Sequence, residues 1–150
     1  MQFSYILVDQ SEHTHAILEH IKEFDEFLCV SVCTSRKEAI NKILELRPNL
    51  VFLSLSATAN GIDSISFSIM SELHEFLEEL PSFIILNPTE SSAFEAYQRG
   101  ATGYLLNPID PNELRKCLLR YQKTHKALHK ATISIKYNSD YNFIIFNSTY

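Results

Sequence analysis

Apolar residues run along this chain in two alternating rhythms. Short unbroken runs read as strands: "FSYILVD" at 3–9, "FLCVSVC" at 27–33, "LVFLS" at 50–54, "FIIL" at 83–86 and "GYLL" at 103–106. Between them apolar residues fall three and four apart, the spacing of one helix face. Ile17, Leu18, Ile21 and Phe24 mark a first helix over 11–24. Ala39, Ile40, Ile43, Leu44 and Leu46 mark a second, and Ile62, Ile65, Ile69, Leu73, Phe76 and Leu80 a third. A short fourth helix covers 90–99, and a last one starts at "DPNE", 110–113, and runs to about 129.

Local chemistry sets the boundaries. Ser35 and Glu38 form a capping box, in which each side chain satisfies a free amide at the helix start. Pro48 and Pro81 stop the helices before them. Gly100 suits a left-handed helix terminus. Asp110 caps the last helix, with Pro111 in its first turn.

Strict strand–helix alternation predicts a parallel sheet with helices on both faces. Strands covered on both sides are continuously apolar, as these are. In such sheets the functional crevice lies beyond the carboxyl ends of the strands. That singles out Asp9 and Gln10, Ser54 to Ser56, Asn87 and Pro88, and Asn107 and Pro108.

After about residue 130 the rhythm changes. "ATISIKY" and "YNFIIFN", joined by Asn138, Ser139 and Asp140, predict a C-terminal β-hairpin. The chain therefore divides at 1–127 and 128–150, and an isolated hairpin needs something to dock against.

With 150 residues, 45% of them hydrophobic and 21% charged, the chain suits one globular domain with an appendage. No apolar run reaches the roughly 20 residues of a membrane span, and "MQFSYILVDQ" carries no signal-peptide pattern. A cytoplasmic location without membrane contact is the expectation. Three cysteines argue against a disulfide framework. Cys29 and Cys33 lie about 13 Å apart along a strand, too far to bridge, and all three are expected as buried thiols. The net charge of −5 hides an asymmetry. Residues 1–113 hold 6 basic and 17 acidic side chains; residues 114–150 hold 7 basic and 1 acidic. The C-terminal end thus meets a different environment from the body.

At the strand exits the chain resembles the receiver domain of two-component response regulators, over residues 3 to about 125. "YILVDQ" resembles the first strand with its acidic pair, and "RPNLVFLSL" the third strand with its phospho-acceptor. "FIILNPTESSAFEAYQRGATGYLLNPID" resembles the run from fourth strand to fifth helix, with "GATGYLLNP" the most specific stretch. The resemblance implies a doubly wound, flavodoxin-like receiver fold of strand order 2-1-3-4-5, and a cis Asn107–Pro108 peptide.

The family's chemistry uses an aspartate acceptor, an acidic pair holding Mg²⁺, a hydroxyl sensor and a lysine. By alignment these fall on Ser54, on Asp9 and Gln10, on Asn87 and on Asn107. Only Asp9 keeps the family's residue type. A serine hydroxyl is a poor nucleophile without an adjacent base, and His13 is only a distant candidate. One remaining carboxylate holds little of the field a hard cation requires, which leaves Asp9 a weak metal candidate and no cofactor expected. The implied function is a degenerate receiver, not an enzyme, acting in protein interaction or dimerisation and in transcriptional regulation. Its expected contact surface is the face of the fourth helix, fifth strand and fifth helix, with Phe94, Tyr97, Tyr104 (the family's aromatic switch position) and Tyr121.

Other readings stay open. Gln10, Ser54, Ser56, Asn87 and Asn107 form a ring suited to a small polar ligand, or they satisfy one another and water. His125 and His129 have metal-ligand spacing but no third partner. Arg115, Lys116, Arg120, Lys123, Lys126 and Lys130 form a basic helix end, a solvated face or a nucleic-acid contact. The tail "ATISIKYNSDYNFIIFNSTY" resembles the opening strands of a LytTR-type DNA-binding domain, so DNA contact would come through a further C-terminal domain.

Overall fold

The computed structural model describes residues 2–56 and 64–137, with side chains to residue 125. Two compact units are present, Met1–Pro111 and Asn112–Tyr150. The first contains β1 (Phe3–Val8), α1 (Thr14–Lys22), β2 (Phe27–Cys33), α2 (Arg36–Leu46) and β3 (Leu50–Ser54). It continues with α3 (Ser68–Phe76), β4 (Ser82–Asn87), a 3-10 turn at Glu90–Ser92, α4 (Ala93–Gln98) and β5 (Gly103–Leu106). The second contains α5 (Pro111–Tyr137) from Asn112 onward.

All five strands pair in parallel in the order β2-β1-β3-β4-β5. The crossover through α1 steps one way from β1 and the crossover through α2 steps back past it. Right-handed connections therefore place these helices on opposite faces. On the α2 side Ile6, Val8, Val51, Leu53, Phe83 and Ile85 pack with Ile43, Ile69 and Leu73 into one buried cluster. Alternate residues of the same strands, Leu7, Phe52 and Ile84, are buried on the other face. There Tyr5 meets Phe52 edge-on, ring centroids 5.5 Å apart.

Helix ends follow the sequence chemistry. Ser35 Oγ accepts the Glu38 amide at 3.2 Å, and α2 ends at Arg47 in a left-handed conformation. Gly100 has φ +85° just past α4, where a residue with a Cβ is disfavoured. The Asn107–Pro108 peptide is cis.

Two expectations are corrected. Residues 131–137 continue α5 as helix instead of forming the first hairpin strand. Thr132, Ile133 and Ile135 favour a strand, but a strand needs a partner, whereas a helix already under way satisfies its backbone internally. The second hairpin strand falls on residues 138–150, outside the described residues. The third helix spans only Ser68–Phe76, so Ile65 precedes it, Leu80 and Pro81 lie beyond its end, and Ile62 falls outside the described residues. Ile65 is buried in the core from the segment before it.

Candidate functional site

The register aligns the strand exits. Val8 pairs with Leu53, Ser54 with Leu86 and Asn87 with Leu106, so the residues that follow open on one sheet edge. Asp9 is anchored there by its amide, which donates to the Cys33 carbonyl at 2.9 Å.

The Asp9 carboxylate is 1% exposed. Its Oδ1 accepts the Ser11 amide at 3.1 Å. Its Oδ2 accepts the Ser11 hydroxyl at 2.9 Å and the Thr14 hydroxyl at 2.6 Å. Burial works against the charge, but the bonds from Thr14, Ser11 and Ser54 outweigh it and hold the carboxyl below its usual value. Both oxygens are thus committed to the chain's own donors. Ser54, itself buried, adds to the lowering of this carboxyl. A carboxyl so easily ionised is a weak base for activating a hydroxyl.

The other ring members divide into two local sets. Ser56 Oγ donates to Gln10 Oε1 at 2.9 Å and accepts the Ile65 amide at 2.8 Å. Asn87 Nδ2 donates to the Thr89 carbonyl at 3.2 Å and to the Tyr104 hydroxyl at 3.0 Å. The Tyr104 hydroxyl in turn donates to the Thr89 carbonyl at 2.6 Å. Asn107 ties its amide to the Asn87 carbonyl at 2.9 Å, while its Oδ1 is buried without a donor among the described residues.

The donor set does not fit Mg²⁺. A hard divalent cation takes oxygen ligands at about 2.1 Å and needs carboxylates with free lone pairs. Here there is one carboxylate, and three of its roughly four acceptor positions are already taken. Among the described residues no group of three His, Cys, Asp or Glu side chains is placed to hold a metal ion. His125 instead places Nδ1 2.9 Å from the Tyr121 carbonyl.

Ser11, Thr14 and Thr89 are site residues that the strand-exit rule misses, because they lie in the segments after the exits. Ser11, two residues beyond an aspartate, is a turn pattern that points to the first contact. The Thr14 and Thr89 contacts depend on how the loops return.

A cleft of about 540 Å³ lies beside this edge, lined by Ser56, Ile65, Phe67, Asn87, Thr89 and Arg99 among others. Arg99 is part of its wall, its guanidinium donating to Glu95 Oε2 at 2.9 Å and Ser71 Oγ at 3.0 Å and lying over the Phe67 ring.

The four expected contact residues separate. Phe94 and Tyr97 of α4 are 71% and 78% exposed. Tyr104 is turned inward on Thr89. Tyr121 is buried and stacks on His125 with ring centroids 3.8 Å apart. The cysteines also differ from expectation: Cys33 is buried, Cys117 half-buried, and Cys29 exposed on β2. Burial pushes the Cys117 thiol up to about 11.

An open parallel sheet of order β2-β1-β3-β4-β5, with the polar groups collected at its carboxyl edge, defines the receiver fold of response regulators. The receiver domain of AraT, a response regulator from Geobacillus stearothermophilus, matches with a TM-score of 0.70 at 24% identity, over 84% of this chain and 97% of that one. No family model matches the chain. An uncharacterized response regulatory protein of Yersinia pestis is 29% identical over 130 residues, covering 83% of this chain and 52% of the relative. The transcriptional regulatory protein BtsR of Escherichia coli is 26% identical over 104 residues, covering 69% of this chain and 41% of the relative. The homologues are response regulators, and the chain spans about half the length of the curated relatives it matches. Among the described residues no helix is long and apolar enough to cross a membrane.

Proposed function

We propose that this chain is a receiver domain that takes no phosphoryl group by the aspartyl route and acts as a protein-interaction module in signalling. One observation carries the reading: the aligned acceptor is Ser54, and Asp9, the one carboxylate among the strand-exit residues, already takes three hydrogen bonds from Ser11 and Thr14. An acyl phosphate needs an acceptor carboxylate, and the aligned residue is Ser54, which offers only a hydroxyl. The inward Tyr104 has its hydroxyl on the Thr89 carbonyl. Phe94 and Tyr97 on α4, with the exposed Leu106 on β5, form the contact surface for another protein chain. Transcriptional output is part of the proposal, because one relative is named a transcriptional regulator and the tail resembles the start of a LytTR-type domain. The test is an amide NMR titration with MgCl₂ and then beryllofluoride. The resonances of Asp9, Ser54 and Asn87 are expected to stay in place, and saturable shifts confined to them would refute the reading.

The cleft supports a second reading, a small-ligand sensor. A polar compound that raises the melting temperature of the wild type but not of Asn87→Leu would favour it.

A further inference from the structure

The cleft beside the strand exits is polar, yet its charges cancel. Among the described lining residues the charged side chains are Glu95 and Arg99, and they meet at 2.9 Å. The guanidinium is held further by Ser71 and lies over the Phe67 ring. A ligand of either sign meets a like charge about as near as an opposite one, so the pair offers neither a net attraction. The space suits an uncharged molecule. Its volume of about 540 Å³ falls within the roughly 300–1,000 Å³ of small-molecule sites.

The polar groups of the wall divide into engaged and open ones. Ser56 Oγ is engaged twice, with Gln10 and with the Ile65 amide. Asn87 gives both protons of Nδ2 away, to the Thr89 carbonyl and the Tyr104 hydroxyl. What it has left is Oδ1, an acceptor with no donor among the described residues. The Thr89 and Ser91 hydroxyls meet at 2.7 Å, so one proton lies between them and the other has no acceptor among the described residues. The Ser92 hydroxyl has no partner among the described residues and can both give and take. The open set is therefore one acceptor, one donor and one group that is both. Leu55 and Pro88 add apolar surface to the same wall. We infer that this cleft is a binding site for an uncharged polyhydroxylated molecule, a sugar or sugar-like polyol. Each hydroxyl of such a ligand donates and accepts at once, so neighbouring hydroxyls answer all three open groups. The C–H surface of its ring answers Leu55 and Pro88.

The inference rests on the second reading, the small-ligand sensor, and names the class of its ligand. The ligand sits on the segment Asn87–Ser92 and on Leu55, beside the strand exits, and leaves the carboxylate of Asp9 in its own hydrogen bonds.

Amide NMR titration of the full chain with neutral pentoses, hexoses and disaccharides tests it. Sugars stabilise most folded proteins by exclusion from their surfaces, so a melting temperature is not the readout here. At least one neutral sugar is expected to give saturable shifts at Ser56, Ile65 and Ser92, and its phosphate ester to give none. Ser92→Ala removes a hydroxyl without a protein partner, so the fold should be unchanged while binding weakens about 5- to 10-fold. Glu95→Gln leaves Arg99 uncompensated and should admit the phosphate ester. No saturable shift with any of these sugars overturns the inference. So does a phosphate ester that binds the wild type as well as the neutral sugar, or binding untouched by Ser92→Ala. Shifts at the same residues from a charged compound or a simple amide alone overturn the sugar assignment and leave the sensor reading standing. A cleft that answers to no compound of any of these classes removes both.

Discussion

Thr14 donates its hydroxyl to Asp9 Oδ2 at 2.6 Å, closing the first turn of α1 over the one carboxylate left at the strand exits. The contact turns a group suited to a cation into a fastening for a loop. A helix start held this way is fixed from the sheet side, since the residue before it, His13, makes no side-chain cap.

Asp9→Asn should therefore cost stability at neutral pH, about 1–3 kcal/mol for charge-assisted bonds replaced by weaker ones. The folded carboxyl titrates below the unfolded one, whose value is about 3.9. Its contribution is complete above that pH and is lost as pH falls through the folded value. Urea unfolding of both proteins at pH 7 and pH 3 checks this, and the gap between them should narrow in acid.

Ser54→Asp restores the family's residue type yet should destabilise the protein. It places a second carboxylate against Asp9 in a buried site, where two like charges cannot both ionise freely. A loss of roughly 3 kcal/mol is expected at pH 7, with partial recovery in acid. Chemical denaturation across pH measures it.

Tyr104→Phe removes the hydroxyl that joins Asn87 to the Thr89 carbonyl. The expected loss is about 1–2 kcal/mol. Faster amide exchange should follow in the segment after Thr89, with little change at β1 and β3, as hydrogen-exchange NMR would show.

Phe52→Ala and Phe94→Ala separate core from surface. Phe52 is fully buried against Tyr5, and truncating it should cost about 3–5 kcal/mol. Phe94→Ala should stay within about 0.5 kcal/mol of the wild type in stability. Thermal unfolding and partner binding, measured together, distinguish the two effects.

Much of the fold could be read from residues 3–106, because buried parallel strands leave unbroken apolar runs that turn residues punctuate. The strand exits follow from the same pattern, and with them Asp9, Ser54, Asn87 and Asn107. What escaped were features set by distance in space. Thr14 and Thr89 reach their partners only after the loops return to the sheet. Tyr104 and Tyr121 look alike in sequence to Tyr97, and burial alone tells them apart. In the stretch after residue 130, β-branched residues point to a strand while the helix already running there extends to Tyr137. Among the described residues no strand pairs with this stretch, and a helix already running satisfies its backbone internally.

Exposure of the full chain to acetyl phosphate with Mg²⁺, followed by intact-mass measurement, is the most direct test of the central claim. A receiver with an intact acidic pair serves as the positive control. The mass of this protein should remain that of the unmodified chain while the control gains one phosphoryl group. A stoichiometric, alkali-labile gain of one phosphoryl group here would contradict the account.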